Sequence, residues 1–447
     1  MRFLRARLLT ALVALAFASV PPLAAQSFNL RDMLTDFLRE GITLAPPPEG
    51  FPSHAAHFIG DDSPQFRAVE QLNSLIASQL SSFPLASSSG GFVYQFDPAL
   101  GVLTRVTESF GPIYAERADT IGRGRFNLGI NYSHFTFDQI NELSLREGDL
   151  RLVFTHEDTN HDQTNTNLFF EGDVITAALS LKIKTDIAAF VFDYGVLDSL
   201  DVGFAIPIVS VDMEAQTDAV IERLATGTTA PGIHRFQNGQ SAETFSESGN
   251  ASGLGDVVLR TKWRFLSSPQ AGMALALDAR LPTGDELDLL GTGATQLKAF
   301  VVGSGHFGWF NPHINAGYTW SLEGSDDIEI ADEINYTAGF DISVGPRFTF
   351  VFDAIGRTFL NTRSIRVEDT LFQANTTTNP ADPPNIVSAV LPRLVSESGD
   401  INQILGSVGV KINPFGNFLL TLNGLFPMNS EGLQDGFTPL IGIDYSF

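Results

Sequence analysis

From about Gly124 onward, apolar and polar residues alternate one by one. That is the period of a β-strand with a different medium on each face. Strands running one way are read at 123–138, 200–214, 270–282, 309–321, 346–360 and 416–426. Returning strands are read at 175–193, 253–266, 295–304, 332–342, 401–412 and 437–447. The connections alternate in length. Short ones fall near 195–200, 267–271, 304–308, 343–346 and 413–416; long polar ones fall near 139–174, 215–252, 283–294, 322–331, 361–400 and 427–436. Residues 26–90 have a different period. One helical pattern runs through Leu30, Leu34, Phe37 and Leu38. A second opens at Ser63 with Pro64 in its first turn and places Phe66, Val69, Ile76 and Leu80 near one face. Ala45-Pro46-Pro47-Pro48 separates the two. A hairpin, Phe92–Phe96 against Val102–Val106, follows them.

Short turns on one rim, long loops on the other and an even strand count describe an all-β fold, a transmembrane antiparallel β-barrel. Twelve strands are expected, and fourteen if the 92–106 hairpin or part of 143–156 joins the wall. A soluble propeller or sandwich would not explain the alternation of connection lengths. The last strand, Ile441-Gly442-Ile443-Asp444-Tyr445-Ser446-Phe447, has its apolar side at Ile441, Ile443, Tyr445 and Phe447. It resembles the closing strand of bacterial outer-membrane barrels, which in that family is also the address read by the insertion machinery.

Charge assigns faces. A Lys or Arg on the lipid side near the bilayer midplane costs ~2–4 kcal/mol. This turns Arg260, Lys262 and Arg264 toward the lumen, with Leu259, Thr261, Trp263 and Phe265 outward. The same rule turns Asp278 and Arg280 inward, with Leu275, Leu277 and Leu281 outward, and sets Lys411 inward. It also turns Lys182, Lys184 and Asp186 inward, with Leu179, Leu181, Ile183 and Ile187 outward; Phe190 and Phe192 share the lysines' register and are expected in the lumen.

The formal charge of −24 is then unexpected beside a basic lumen. Acids gather instead in the loops, at Glu157, Asp158 and Asp162, at Asp285, Glu286 and Asp288, and at Glu323, Asp326, Asp327 and Glu329. Residues 27–90 carry seven acids against Arg31, Arg39 and Arg67. The wall cations therefore have two uses open to them: pairing with an acidic plug, or attracting a carboxylate or other anionic head group. So acidic a chain argues against nucleic acid as a partner. Acidic outer loops suit divalent cations bridging lipopolysaccharide.

The N-terminus reads as a secretory signal over 1–25. Arg2, Arg5 and Arg7 precede an apolar run at 8–20, and Leu23-Ala24-Ala25 offers a cleavage site. The expected division is this signal, an N-terminal plug or periplasmic segment over 26–110, and a barrel over 111–447, with both termini periplasmic. No later stretch approaches the ~18 uninterrupted apolar residues of a spanning helix. The absence of cysteine removes disulfides and thiolate metal sites.

Several motifs carry a more specific resemblance. Ser252-Gly253-Leu254-Gly255-Asp256 opens one strand, and Leu281-Pro282-Thr283-Gly284-Asp285 ends the next, followed by Leu289-Leu290-Gly291-Thr292-Gly293. Tyr194-Gly195, Asp201-Val202-Gly203 and Ile206-Pro207 precede them. Over about 110–447 the chain resembles the outer-membrane family labelled as a component of a phenol-degradation pathway. Phe110-Gly111-Pro112 and Glu116-Arg117-Ala118 lie where that resemblance begins. The family is related in architecture to the long-chain fatty-acid channels. The resemblance implies a plugged barrel that passes hydrophobic small molecules, aromatic compounds or fatty acids. In the fatty-acid channels, substrate binds beside the plug and leaves through the wall at a strand kink. Ser27-Phe28-Asn29-Leu30 stands where those channels have Asn-Pro-Ala.

Other chemistry is poorly supported. The eight histidines show no His-Glu-x-x-His spacing. Asp158-x-Asn160-x-Asp162 starts like a calcium loop, but Gln163 replaces the required glycine and Phe169 the bidentate Glu. No metal, cofactor or enzymatic activity is expected. The competing readings are a structural or adhesive barrel working through its acidic loops, and a barrel hydrolase.

Overall fold

The computed structural model describes residues 29–48, 58, 64–81, 87, 91–97, 102–105, 109–156, 169–227, 232–322, 330–379 and 381–447. The expected signal, the Ser63 cap, the loop over 157–168 and the acids at 323–329 lie outside the described residues. Twelve antiparallel strands close into a barrel. They are β1 (Phe126–Ile140), β2 (Val174–Leu197), β3 (Leu200–Glu222), β4 (Val257–Ser267), β5 (Ala271–Leu281) and β6 (Gln296–Gly305), then β7 (Phe310–Ser321), β8 (Glu333–Val344), β9 (Phe348–Asn375), β10 (Ile386–Ile412), β11 (Phe418–Pro427) and β12 (Thr438–Ser446). Each pairs with the next, and β12 returns to β1, where Phe126 and Phe447 exchange backbone hydrogen bonds of 2.9 and 3.0 Å. The hairpin forms as Tyr94–Asp97 against Val102–Arg105 and pairs only with itself among the described residues. The barrel therefore has twelve strands, not fourteen.

Several strands run well past the expected ends. Beyond Phe359 the upper half of β9 pairs with β10 alone, from Thr362↔Gly399 to Asn375↔Ile386. Leu150–Thr155 and Ala242–Leu254 extend the wall beside β2 and β3. The sequence reads the upper β9–β10 stretch and most of Ala242–Leu254 as loop and leaves open whether part of 143–156 joins the wall; Leu150–Thr155 does pair with β2, as an extension and not as part of the closed barrel. Away from lipid no apolar face is required, so Ser, Thr, Glu and Asn mix with apolar residues such as Leu371 and Val390 at the exposed positions and the period-two signal fades.

Two helices lie inside the long-loop end. The first, α1 (Leu30–Asp36), is capped by Asn29, whose Oδ1 accepts from Asp32 N at 2.8 Å, and continues as a π-turn over Phe37–Gly41. The second is α2 (Pro64–Ser81). Leu30, Met33, Leu34, Phe37 and Leu38 of the first, with Val69, Leu72, Ile76 and Leu80 of the second, share one buried core with the inner wall. Polar contacts tie them to the rim: Arg31 N donates to Leu287 O at 2.9 Å, and Leu433 N to Gln79 Oε1 at 2.6 Å.

The outer face carries the apolar band of a membrane barrel. Leu259, Trp263, Leu277, Ile314 and Ile441 are all 45% exposed or more. An aromatic collar rings the short-turn rim. Phe126 stacks on Phe447 at 5.7 Å and packs on Tyr194 at 4.7 Å; Phe192 stacks on Phe204 at 5.1 Å, and Phe340 on Phe352 at 5.1 Å.

That collar corrects one assignment. On β2 the odd residues face inward: Leu179, Leu181 and Ile183 are fully buried in the core with the helices. Lys182, Lys184, Phe190 and Phe192 therefore face outward, not into the lumen. Lys182 reaches Glu214 across the pair at 2.8 Å in an exposed bridge, and Asp186 accepts from Tyr132 and bonds His134 on the same outer surface. The 24 residues of β2 span roughly 80 Å along the strand, far more than the ~30 Å hydrocarbon core. Its first half stands clear of lipid, where an outward charge costs little. Its last third lies at the collar, where outward phenylalanines are favoured.

This placement makes opposite predictions for two outward positions. Leu277→Arg should lower the unfolding free energy in phospholipid vesicles by about 2–4 kcal/mol. Lys182→Ala should change it by less than about 1 kcal/mol. Denaturant titration followed by tryptophan fluorescence checks both.

Candidate functional site

Between the aromatic collar and the helices, the lumen is crossed by residues 109–121. This segment is irregular and, apart from half-buried Tyr114 and Asp119, buried. Buried backbone must find partners, and the inward side chains of successive strands supply them. Phe110 N donates to Thr349 Oγ1 at 3.1 Å and Tyr114 N to Asp353 Oδ2 at 3.1 Å, both on β9. Glu116 N donates to Asn315 Oδ1 on β7 at 2.7 Å, and Asn315 Nδ2 returns a bond to Glu116 O at 2.8 Å. Ala118 N donates to Ser304 Oγ on β6 at 3.1 Å, and Ile121 N to Asp201 Oδ2 on β3 at 3.0 Å. The segment thus crosses the short-turn end strand by strand. Gly111 sits at φ +75 with the Arg117 guanidinium 3.0 Å from where a Cβ would stand, so both conformation and space call for glycine.

The segment brings a carboxylate to the wall cations. Glu116 pairs with Arg260, and its other oxygen lies 3.6 Å from Lys262. Arg260 also makes a bidentate pair with Asp278, at 2.7 Å from Nε and 2.5 Å from Nη2. Across the lumen, Arg357 chelates Glu333 at 2.7 and 3.1 Å. Lys262 donates to Arg117 O at 3.3 Å, and Lys411 to Pro112 O at 2.5 Å. Both lysines are buried and hold the crossing segment. Arg264 works lower, donating to Asp198 O at 2.9 Å with Asp119 3.5 Å away.

Above Glu116 lies a cavity of about 130 Å³. Arg260, Asp278 and Arg280 line it, as do Lys298, Phe300, Glu333 and Arg357. A larger cleft, about 950 Å³, lies between α1, α2 and the long-loop ends of β7 and β8. Of the residues singled out in the sequence, the structure brings Arg260, Asp278 and Arg280 together at the cavity. It sets Lys262, Arg264 and Lys411 against the crossing segment, and separates Lys182, Lys184, Phe190 and Phe192 from all of them. Lys298, Glu333 and Arg357 were not singled out. Lys298 alternates with apolar neighbours in Gln296-Leu297-Lys298-Ala299-Phe300, so the charge rule used on β4 would have found it.

The glycine motifs converge on one carboxylate. The wall bends at Gly255-Asp256, where Gly255 N donates to Pro207 O at 2.8 Å. Buried Asp256 accepts from Gly284 N at 3.1 Å, Thr292 N at 2.8 Å and Thr292 Oγ1 at 2.7 Å. It thereby pins loop 282–295 across the bend. Gly284 and Gly291 touch backbone to backbone, and a Cβ on Gly284 would stand 2.8 Å from Gly291 Cα.

Residues 164–364, from just before β2 to the middle of β9, match the family described as "Putative MetA-pathway of phenol degradation" and carry its sequence pattern. No curated protein matches the chain. Among solved structures, the chain is similar to an outer membrane channel from Pseudomonas putida F1, at 11% identity over 74% of this chain and 98% of that one, TM-score 0.39. It is also similar to a Pseudomonas aeruginosa FadL homologue, at 12% identity over 82% and 96%, TM-score 0.31. The CymD monoaromatic hydrocarbon channel is similar at 11% identity over 73% and 88%, TM-score 0.33.

At the short-turn rim, His306 Nε2 lies 3.0 Å from Asp119 Oδ2. The hydrogen bond to Asp119 raises the His306 pKa against the opposing effect of burial. Burial would raise the Asp119 carboxyl, but the His306 hydrogen bond and the charges of Arg117 and Arg264 carry it down to about 2. The imidazolium's contribution to this latch is complete below the unfolded histidine pKa near 6.5 and is lost as pH rises through the raised folded value. Hydrogen exchange of amides 116–121 should therefore accelerate, beyond the intrinsic rate, between neutral and alkaline pH. His306→Asn should abolish that pH dependence.

Proposed function

We propose, from the family match over 164–364 and the geometry of the lumen, that this protein is an outer-membrane channel for small hydrophobic or amphipathic molecules. Aromatic compounds and fatty acids are the classes considered. The observation that carries the proposal is the filling of the lumen. The helices occupy one end and residues 109–121 the other, with a cavity between them. Such a conduit passes a chosen molecule by local rearrangement and does not conduct as an open water-filled pore. In this reading both termini are periplasmic, the short-turn rim faces the periplasm, and the projecting β9–β10 pair stands outside the cell. Residues 26–110 with the crossing segment act as the plug. Arg260, Lys262, Arg264, Asp278, Arg280 and Lys411 border the path. The outer collar and apolar band meet lipid and lipopolysaccharide, and the terminal strand is offered to the insertion machinery. The bend at Gly255-Asp256, covered by loop 282–295, is the place where a lateral exit would form.

Uptake by proteoliposomes tests the proposal. A labelled aromatic compound or fatty acid should enter faster than into empty liposomes; equal rates with correctly folded barrel would sink the reading. Deleting 27–90 should raise ion conductance in a planar bilayer, and unchanged conductance would place that segment off the path.

A further inference from the structure

The cavity between the helices and the crossing segment has more cations than carboxylates. Arg260, Arg280, Lys298 and Arg357 face Glu116, Asp278 and Glu333. The carboxylates are engaged. Asp278 gives one oxygen to Arg260 Nε and the other to Nη2. Glu116 binds Arg260 and accepts from Ser87 Oγ at 3.0 Å. Glu333 is held by both faces of its Arg357 chelate. Lys298 stands level with Asp278 on β5 and Thr319 on β7. Arg260 takes both oxygens of Asp278, and no carboxylate lies within 4.0 Å of the Lys298 ammonium among the described residues. Its neighbour is the Phe300 ring, 4.9 Å from Nζ, and Arg260 Cζ lies 5.7 Å from the same ring.

Size and polarity together select a ligand class. An apolar cavity of about 150 Å³ accepts benzene, so a cavity of about 130 Å³ takes a molecule of one ring. A bare hydrocarbon would displace water from these charges and return no hydrogen bond in exchange. A ring bearing a carboxylate meets both demands. Its charge balances the excess cation, and its ring lies against the apolar face of Phe300. We propose that this cavity is a binding site for a small single-ring carboxylate, with Lys298 taking the carboxylate. The inference rests on the channel reading and narrows its cargo to anions.

Calorimetric titration of the full chain in detergent tests it, with benzoate and toluene as probes. Benzoate should bind saturably, and toluene should not displace it. Lys298→Gln should weaken benzoate binding about tenfold or more, the size expected for losing a charge-assisted hydrogen bond. Lys298→Arg should retain it. Heat-modified gel mobility confirms that each variant is folded. Absent benzoate binding, equal displacement by toluene, or unchanged affinity in a folded Lys298→Gln variant would each overturn the site. Liposome uptake separates the two readings. Passage of toluene without binding or passage of benzoate removes the anion site and leaves the channel. Binding of benzoate without passage of any aromatic compound leaves the site and removes the channel.

Discussion

Residues 109–121 carry their amides into a barrel whose wall has already spent its backbone hydrogen bonds on itself. The segment has no strand to pair with, and each unmet buried amide would cost about 1–3 kcal/mol. Acceptors therefore have to come from side chains, and they come one strand at a time: Thr349, Asp353, Asn315, Ser304 and Asp201. Much of the polar interior follows from this need. So does its charge, because a segment carrying Glu116 and Asp119 into the lumen requires Arg260, Lys262 and Arg264 opposite it. The wall cations opposite the segment thus meet acids that the N-terminal part of the chain carries inside.

The sequence made the barrel legible because lipid imposes a strict rule. Wherever a strand lies at bilayer depth, one face must be apolar, and on β4 and β5 that rule placed every charge on its observed side. It misled on β2 because charge alone does not report depth. Lys182 and Lys184 look like lumen residues only if the strand ends at the membrane surface, and β2 does not. The inward-facing Leu179, Leu181 and Ile183 look like lipid contacts for the same reason; their true neighbours are the apolar faces of α1 and α2, far away in sequence. Lys298, Glu333 and Arg357 follow the rule but lie on three different strands, so their joint cavity emerges only once the barrel closes.

The glycine runs show a different kind of legibility. Gly253 to Asp256, Pro282 to Asp285 and Leu289 to Gly293 are separate in sequence and carry little meaning singly. In the fold they are one object. A bend in the wall, a carboxylate with three donors and two glycines in backbone contact hold a loop in place. A resemblance detected as scattered short motifs corresponds to a single joint.

The manner in which the crossing segment is held has a mechanical side. A strand inside a sheet resists pulling along its length because all its hydrogen bonds must shear together. Residues 109–121 are fastened to β3, β6, β7 and β9 by contacts that load in succession. Tension applied from the N-terminal side would meet them as stitches that yield in turn, the one at Glu116, with Asn315, Arg260 and Lys262, being the firmest. The twelve-stranded wall would remain intact while its lining was drawn out.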